Sequence, residues 1–184
     1  LDSRTLPVTT EVYAVPRRDE TAFLVAQLEN TSAEPFLGGA ATIYRGDTLI
    51  GEMQMPFLAA GDTTTLPFGP IEGIRLEHVV AKNETGDRGI ISTTNTREQD
   101  TSFRVTNLTG EVQKIRAFYP LTYSEQEDLE VEVTATPRPD EVNHDDKRGL
   151  SVWDLEIAPG ATEEVTINTN LSWPEGYELN WRPW

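Results

Sequence analysis

The sequence predicts an all-β protein, built either as two small antiparallel, immunoglobulin-like β-sandwich modules in tandem or as one continuous sandwich. Three observations predict this class. Apolar and polar residues alternate over short stretches rich in β-branched and aromatic side chains. Turn residues separate these stretches at intervals of roughly 8–12 residues, as in sandwiches and barrels. Convincing long helical patterns are absent from the sequence.

Ten stretches carry the strand pattern, and Gly, Pro and Asp residues lie between them. In the first half they are residues 8–15, 22–28, 41–44, 63–68 and 75–80. In the second half they are residues 101–105, 113–119, 129–136, 150–157 and 163–168. Residues 124–130 have slight helical character, but their polar composition also suits an exposed turn.

A weak internal repeat relates the two halves. The spacing of Ala26, Leu28, Asn30, Ser32 and Glu34 returns in a second set, namely Phe103, Val105, Asn107, Thr109 and Glu111. Two later segments, 58–68 and 157–167, each have the pattern of a strand, a tight turn at a glycine and a second strand. We therefore predict two related β-modules. The alternative is that two unrelated β-hairpins resemble each other.

The repeat and the turn pattern give a domain hypothesis. Residues 1–80 form a first module, 81–96 connect it to the next, and 97–184 form a second module. The second module contains a long loop at 137–149 and an aromatic C-terminal tail beginning near Ser172. We expect the aromatic rings of the tail to cover an open sheet edge or a seam between modules. Binding of a partner by an exposed tail is the alternative.

Composition excludes several classes of function. Lys and Arg total 15 against 31 Asp and Glu, a net charge of −16. Such a surface repels phosphate backbones and anionic lipids, so we expect no nucleic-acid partner. No apolar run approaches the roughly 20 residues of a membrane span, so we expect no membrane insertion. Cysteine is absent, which removes disulfides and thiolate chemistry. The start at Leu1 indicates a piece of a larger protein.

One loop carries candidate metal ligands. His144 lies among oxygen-bearing side chains on the predicted 137–149 loop, and clustered oxygens of this kind bind Ca²⁺. The candidates are Asp140, Asn143, His144, Asp145 and Asp146. Their spacing does not match an EF-hand, so the main expectation is a solvated acidic loop with no cofactor, and calcium is the alternative.

Catalytic patterns are missing from the sequence. His78 lies on an alternating strand and is interpreted as a structural or surface residue, and no nucleophile-elbow motif occurs. We expect no enzyme activity, although a pair of carboxylates of the glycosidase type has no sequence signature. Two turns combine an acid with a basic residue and glycine. We expect Arg88 to pair with Glu84 and Arg148 with Asp145, and the alternative is that these turns form the rim of a ligand-binding site.

An ordered series of motifs resembles a known family. The series is Glu34-Pro35-Phe36-Leu37-Gly38-Gly39, then residues 51–52, 56–61, 66–69, 84–89, 147–153, 155–160 and 172–174. Taken together, it is similar to the C-terminal domain of the mucoidy inhibitor A family of bacterial proteins. The resemblance runs from about Val8 to Gly176. No single motif decides it; the order of the motifs carries it.

The resemblance implies a cellular location and an assembly, but no enzymatic activity. Proteins of that family look like longer chains with a small N-terminal β-domain, a central coiled coil and a C-terminal β-region similar to this one. Many of them appear with an export signal at the start. It therefore implies a periplasmic or envelope location and oligomerisation through an upstream coiled coil. We expect a non-catalytic interaction or scaffolding region that binds unidentified protein partners. The alternatives are a carbohydrate- or Ca²⁺-binding module that uses the acidic loop and Trp153, or a hydrolase of envelope polymers.

Overall fold

The fold is all-β, as predicted. The structure is a computed structural model that describes residues 5–87 and 94–179, with the side chains of 82–87 left out. Most strands follow the alternation of apolar and polar side chains in their sequence. The strands are β1 (Val8–Ala14), β2 (Phe23–Glu29), β3 (Gly39–Arg45), β4 (Thr48–Met55), β5 (Thr63–Pro70), β6 (Ile74–Asp87), β7 (Thr94–Asn107), β8 (Gln113–Pro120), β9 (Glu130–Thr136), β10 (Glu141–Val142), β11 (Leu150–Ile157) and β12 (Thr162–Pro174).

The larger sheet has six strands in the order β10-β11-β8-β1-β2-β5. Its neighbours are antiparallel except for β1 and β8, which run parallel and pair at Tyr13–Arg116 and Ala14–Ala117. This parallel pair joins strands from the two halves of the chain in one sheet. The boundary between modules near residue 80 stays a prediction.

The second sheet has four antiparallel strands in the order β6-β7-β12-β9. Its three long strands have 14, 14 and 13 residues, whereas β8 and β11 opposite have 8 each. The inner face of this sheet therefore extends beyond the sheet that covers it. Of the predicted connection 81–96, residues 81–87 belong to β6 and 94–96 to β7, and 88–93 lie outside the described residues.

The main core lies between these two sheets. Fully burying each large apolar side chain contributes about 1.5–3 kcal/mol to folding. Both halves of the chain contribute to one contiguous cluster: Ala14, Ala22, Ile74, Leu76, Phe103, Val105, Ile115, Ala117, Tyr119, Trp153, Ile157, Val165 and Ile167. The Trp153 indole donates a hydrogen bond to the Pro137 carbonyl at 2.9 Å, which satisfies its polar atom.

Strands β3 and β4 form a separate two-stranded sheet. Together with the antiparallel bridge between Phe36 and Leu58 they form an extension, residues 36–58, which we name the arm. The arm is attached to β5 by Arg45, which donates to the Phe68 and Pro70 carbonyls at 3.2 Å each. Strand β4 was not predicted, because its alternation is weak around Gly51 and none of its residues is buried.

Two irregular segments complete the structure. Residues 124–130 contain no helix; the Ser124 hydroxyl accepts a hydrogen bond from the Gln126 amide, as in an exposed turn. In the C-terminal segment Trp173 is buried at the end of β12 and donates to the Tyr177 carbonyl, whereas Tyr177 is exposed. Residues 180–184 of the predicted aromatic tail lie outside the described residues. Across 5–87 and 94–179, none of the helical structure is long or apolar enough to span a membrane.

Candidate ligand-binding cleft

A cleft of about 570 Å³ lies where the four-stranded sheet extends past its partner. Strand pairing places Val80 beside Thr101, Thr101 beside Ile167, and Gln99 beside Thr169. These positions continue the inward face that carries buried Phe103 deeper in the core, because side chains two residues apart on a strand share a face. The floor of the cleft is therefore an extension of the core surface in which polar side chains replace apolar ones.

The opposite wall comes from β8 and two loops. Tyr119 lies near the end of β8, and residues 120–123 continue the wall. Arg17, in the turn after β1, and Arg148, in the loop before β11, complete it. The volume lies within the range of about 300–1,000 Å³ that small-molecule sites occupy.

His78 and Tyr119 form a hydrogen bond across the inner end of the cleft. The His78 Nε2 atom lies 2.9 Å from the Tyr119 hydroxyl, and the Tyr119 ring stacks on Phe103 at 5.4 Å between centroids. Burial lowers the pKa of His78, and the charge of Arg17 lowers it further. Burial also raises the pKa of Tyr119, against the opposing effects of a Thr101 hydrogen bond and Arg17. Both groups are therefore neutral at pH 7.

Two guanidinium groups lie against tyrosine rings at the cleft. The Arg148 Cζ is 4.7 Å from the centroid of Tyr123, and the Arg17 Cζ is 5.7 Å from that of Tyr119. Distances below about 6 Å allow cation–π attraction, which orients the planar guanidinium. Arg148 also pairs with Glu125 at 3.3 Å and donates to the Ser124 carbonyl at 3.1 Å. The expected pairing of Arg148 with Asp145 is wrong, and the expected pairing of Arg88 with Glu84 lies outside the described side chains.

Gly149 fixes the position of this wall. Its φ is +80°, and a Cβ atom there would lie 2.6 Å from the Leu121 carbonyl oxygen and 2.7 Å from the Tyr123 ring. Only glycine combines that dihedral angle with so close an approach. The loop before β11 therefore packs directly against Tyr123 and holds Arg148 over its ring.

The charge of the cleft differs from that of the molecule. Among the described residues that line it, none is Asp or Glu, although the chain has a net charge of −16. Three other surface depressions each contain at least three acidic residues. The described lining of the cleft therefore carries basic side chains and no acidic ones, unlike the acidic chain as a whole.

The candidate metal ligands of the 137–149 loop are used mostly within the loop itself. Asp140 accepts a hydrogen bond from the Asp154 amide at 2.8 Å, and Asn143 accepts one from the Gly149 amide at 2.8 Å. Asp145 lies 3.5 Å from Lys147 Nζ and 3.5 Å from His144 Nε2. Asp146 is exposed. Among the described side chains, those of residues 5–81 and 94–179, no group of three or more His, Cys, Asp and Glu has a geometry that holds a metal ion.

His144 instead joins a network on the outer face of the six-stranded sheet. Its Nδ1 lies 2.7 Å from Glu141 Oε2, and its ring packs edge-on against Phe118. Glu141 also pairs with Arg116, whose guanidinium lies 3.0 Å from Asp154 and 3.6 Å from Glu11. The His144 hydrogen bond lowers the pKa of Glu141, and the charge of Arg116 lowers it further. The network fixes the loop to the sheet.

The expectation that Trp153 contributes to a sugar site is wrong. Its side chain is 1% exposed in the core, where its ring contacts Phe103 at 5.5 Å between centroids. An indole buried on both faces cannot stack on a ligand.

Comparison with known sequences gives a family. Residues 3–175 match the family described as a domain of unknown function, DUF4139. The chain belongs to the DUF4139 family. It is also 21% identical over 186 residues to Protein F37C4.5 of Caenorhabditis elegans, covering 96% of this chain and 34% of that protein. The chain thus spans about a third of the length of this curated relative. No solved structure matches it significantly.

The cleft of this DUF4139 domain has only a weak signal in the sequence. The sequence predicts a structural or surface role for His78 and gives no sign that Arg17 and Tyr119 share a site with it. The signal lay in the strand alternation: Gln99, Thr101 and Thr169 occupy inward positions that the pattern reserves for apolar residues. Inward polar residues on neighbouring strands mark the place where a core opens to solvent.

Proposed function

We propose that this DUF4139 domain is a non-catalytic interaction and scaffolding region of an exported bacterial envelope protein of the mucoidy inhibitor A family. The observation that carries the proposal is the exposed apolar surface of the arm. Leu37 is 79% exposed and Phe57 60%, and none of the residues of β3 and β4 is buried. Exposed apolar clusters on a soluble domain are typical of surfaces that bind other proteins.

The exposed apolar residues of the arm form cross-strand pairs. The bridge between Phe36 and Leu58 and the pair Gly39–Met55 follow one antiparallel register, which places Leu37 opposite Phe57. Gly38 keeps the two segments close, since a Cβ atom there would lie 3.1 Å from the Phe57 amide nitrogen. Tyr44 and Leu49, each 57% exposed, form a second pair toward the tip.

The envelope setting depends on the resemblance. The ordered motifs between residues 34 and 174 support membership of the mucoidy inhibitor A group, and the longer worm relative is consistent with a domain that works within a larger chain. A coiled coil upstream would bring several arms together. Linking weak sites in one assembly multiplies their effective affinity.

The absence of catalysis is also a proposal. It is supported by the composition of the cleft, where the described lining residues contain no carboxylate, serine or lysine beside His78. A histidine whose partner is a neutral tyrosine has neither the nucleophile nor the orienting acid of a Ser–His–Asp site.

Site-specific photo-crosslinking in the full-length protein tests the proposal. A photoreactive residue replaces Phe57 on the arm or, as the matched control, Val142, which is 65% exposed on the edge strand β10. Irradiation of cells followed by separation of envelope fractions should give discrete adducts from position 57 and none from 142. Equal labelling at both positions, or recovery of the protein outside the envelope, would contradict the proposal.

A further inference from the structure

We propose that the cleft between the sheets binds a small acidic sugar, that is, a hydroxyl-rich ligand bearing one carboxylate. This inference goes beyond the proposed function, because it assigns a ligand to a surface that is separate from the arm. It rests on three properties of the cleft: its charge, its neutral hydrogen-bonding groups and its size.

The arginine side chains of the cleft favour a ligand that carries a carboxylate. Arg17 and Arg148 lie in the wall, and the described lining residues contribute no acid. An arginine side chain presents a planar set of donors that matches a carboxylate with two parallel hydrogen bonds. The existing pair of Arg148 and Glu125 is exposed on both sides, so it contributes little and exchanges readily for a ligand carboxylate.

Neutral polar groups select the hydroxyls. Uncharged threonine and glutamine side chains line the cleft, namely Gln99, Thr101, Thr122 and Thr169. Sugar hydroxyls both donate and accept hydrogen bonds, so they match such groups, whereas a simple organic anion only accepts. These side chains lie on β7 and β12 of the four-stranded sheet and in the segment after β8, so they line the cleft from two sides.

The volume and the closed inner end of the cleft favour a small ligand. The volume of about 570 Å³ accommodates a small molecule of one or two rings, in the range that such sites occupy. The inner end is closed by the hydrogen-bonded pair of His78 and Tyr119. Val80, Leu121 and Ile167 add apolar surface against which the carbon face of a ring packs.

Calorimetric titration of the purified chain tests the inference, using sodium galacturonate, galactose and sodium acetate at the same ionic strength. We expect galacturonate to bind with a dissociation constant below about 10 mM, and galactose and acetate to bind at least about tenfold more weakly. Equal binding of galactose would overturn the carboxylate requirement. Equal binding of acetate would overturn the sugar requirement, and no galacturonate binding would overturn the whole inference.

Two variants locate the binding. Arg148→Gln should weaken galacturonate binding by about tenfold while leaving the weak galactose signal unchanged, since a charged hydrogen-bonded pair is lost. Arg104→Gln is the matched control, because Arg104 pairs with Glu77 and Glu164 away from the cleft. An unchanged affinity in Arg148→Gln, or an equal loss in Arg104→Gln, would place the ligand elsewhere. Because these titrations use only the purified chain, their failure leaves the crosslinking test of the arm untouched.

Discussion

Asn30 and Asn107 occupy the same environment in two different sheets. Both side chains are fully buried; the amide of Asn30 donates to the Glu34 carbonyl at 2.9 Å, and that of Asn107 donates to the Glu111 carbonyl at 2.8 Å. In each case the side-chain oxygen accepts from the amide and hydroxyl of the residue two positions on. The backbone of each also pairs with a glycine turn, at Gly61 and at Gly160. The two segments that the sequence predicts to be equivalent therefore share this set of hydrogen bonds.

Replacing either asparagine should lower the free energy of unfolding. Asn107→Ala leaves the Glu111 and Ile157 carbonyls without their donor, and buried carbonyls without partners destabilise a protein. We expect the free energy of unfolding to fall by about 2–4 kcal/mol, measured by urea denaturation. Asn30→Ala should behave alike. Asn170→Ala is the control, since Asn170 is exposed and bonds only to Asn168 among the described contacts. A similar loss in all three would contradict the special role of the buried pair.

The internal repeat was predictable from sequence, whereas the pairing of its strands was not. Ala26 pairs with Leu66 about forty positions away, and in the equivalent pair of strands Phe103 pairs with Val165 about sixty positions away. The apolar spacing and the glycine turns mark where these strands lie, but they do not identify the partner of each strand. The parallel pairing of Tyr13 with Arg116 joins residues about a hundred positions apart, and no local pattern encodes such a contact.

The cleft escaped prediction for the same reason. His78, Thr101 and Thr169 are polar residues in three separate strands, and each stands at an apolar position of the alternation in its own strand. Only the pairing of β6, β7 and β12 shows that they share one inward face. In the 137–149 loop the side-chain oxygens of Asp140 and Asn143 accept hydrogen bonds from backbone amides, which the sequence pattern did not indicate. The calcium alternative for this loop stays a prediction.

The pH dependence of stability should report the burial of His78. Its folded pKa lies below the usual 6.5, so the unfolded chain binds more protons between these two values. The contribution of His78 is therefore complete above pH 6.5 and is lost as the pH falls toward the folded value. We expect His78→Gln to lose less stability than the parent between pH 7.5 and 5.5, at constant ionic strength. Tyr119→Phe should keep the parent's dependence, because burial is the main cause of the shift. If the stability of His78→Gln falls with pH as steeply as that of the parent, His78 is not the group that causes the pH dependence.

The Glu141 carboxyl should respond to His144. The His144 hydrogen bond is the main cause of the lowered pKa of Glu141, followed by the charge of Arg116. In His144→Ala we expect that pKa to rise toward the ordinary value of 4.5, as followed by carboxyl-carbon NMR. Asp146→Ala is the control, since Asp146 is exposed in the same short turn. An unchanged Glu141 titration in His144→Ala would show that Arg116 alone sets it.

Two glycine substitutions separate backbone strain from steric contact. Gly149 and Gly160 have similar φ values of +80° and +74°, but the space around them differs. A Cβ atom on Gly160 meets nothing within 4 Å, so Gly160→Ala should cost about 1 kcal/mol for the left-handed backbone alone. In Gly149→Ala the Leu121 carbonyl and the Tyr123 ring must also move, and we expect a loss of about 2–4 kcal/mol.

The two substitutions should also differ in their effect on the cleft. Gly149→Ala pushes the loop away from Tyr123 and with it the guanidinium of Arg148, which lies 4.7 Å from that ring. Tyr123 ring proton shifts in NMR should therefore change in Gly149→Ala and stay constant in Gly160→Ala. Equal stabilities with unchanged Tyr123 shifts would mean that the loop before β11 moves freely, and that the packing of Gly149 does not position the cleft wall.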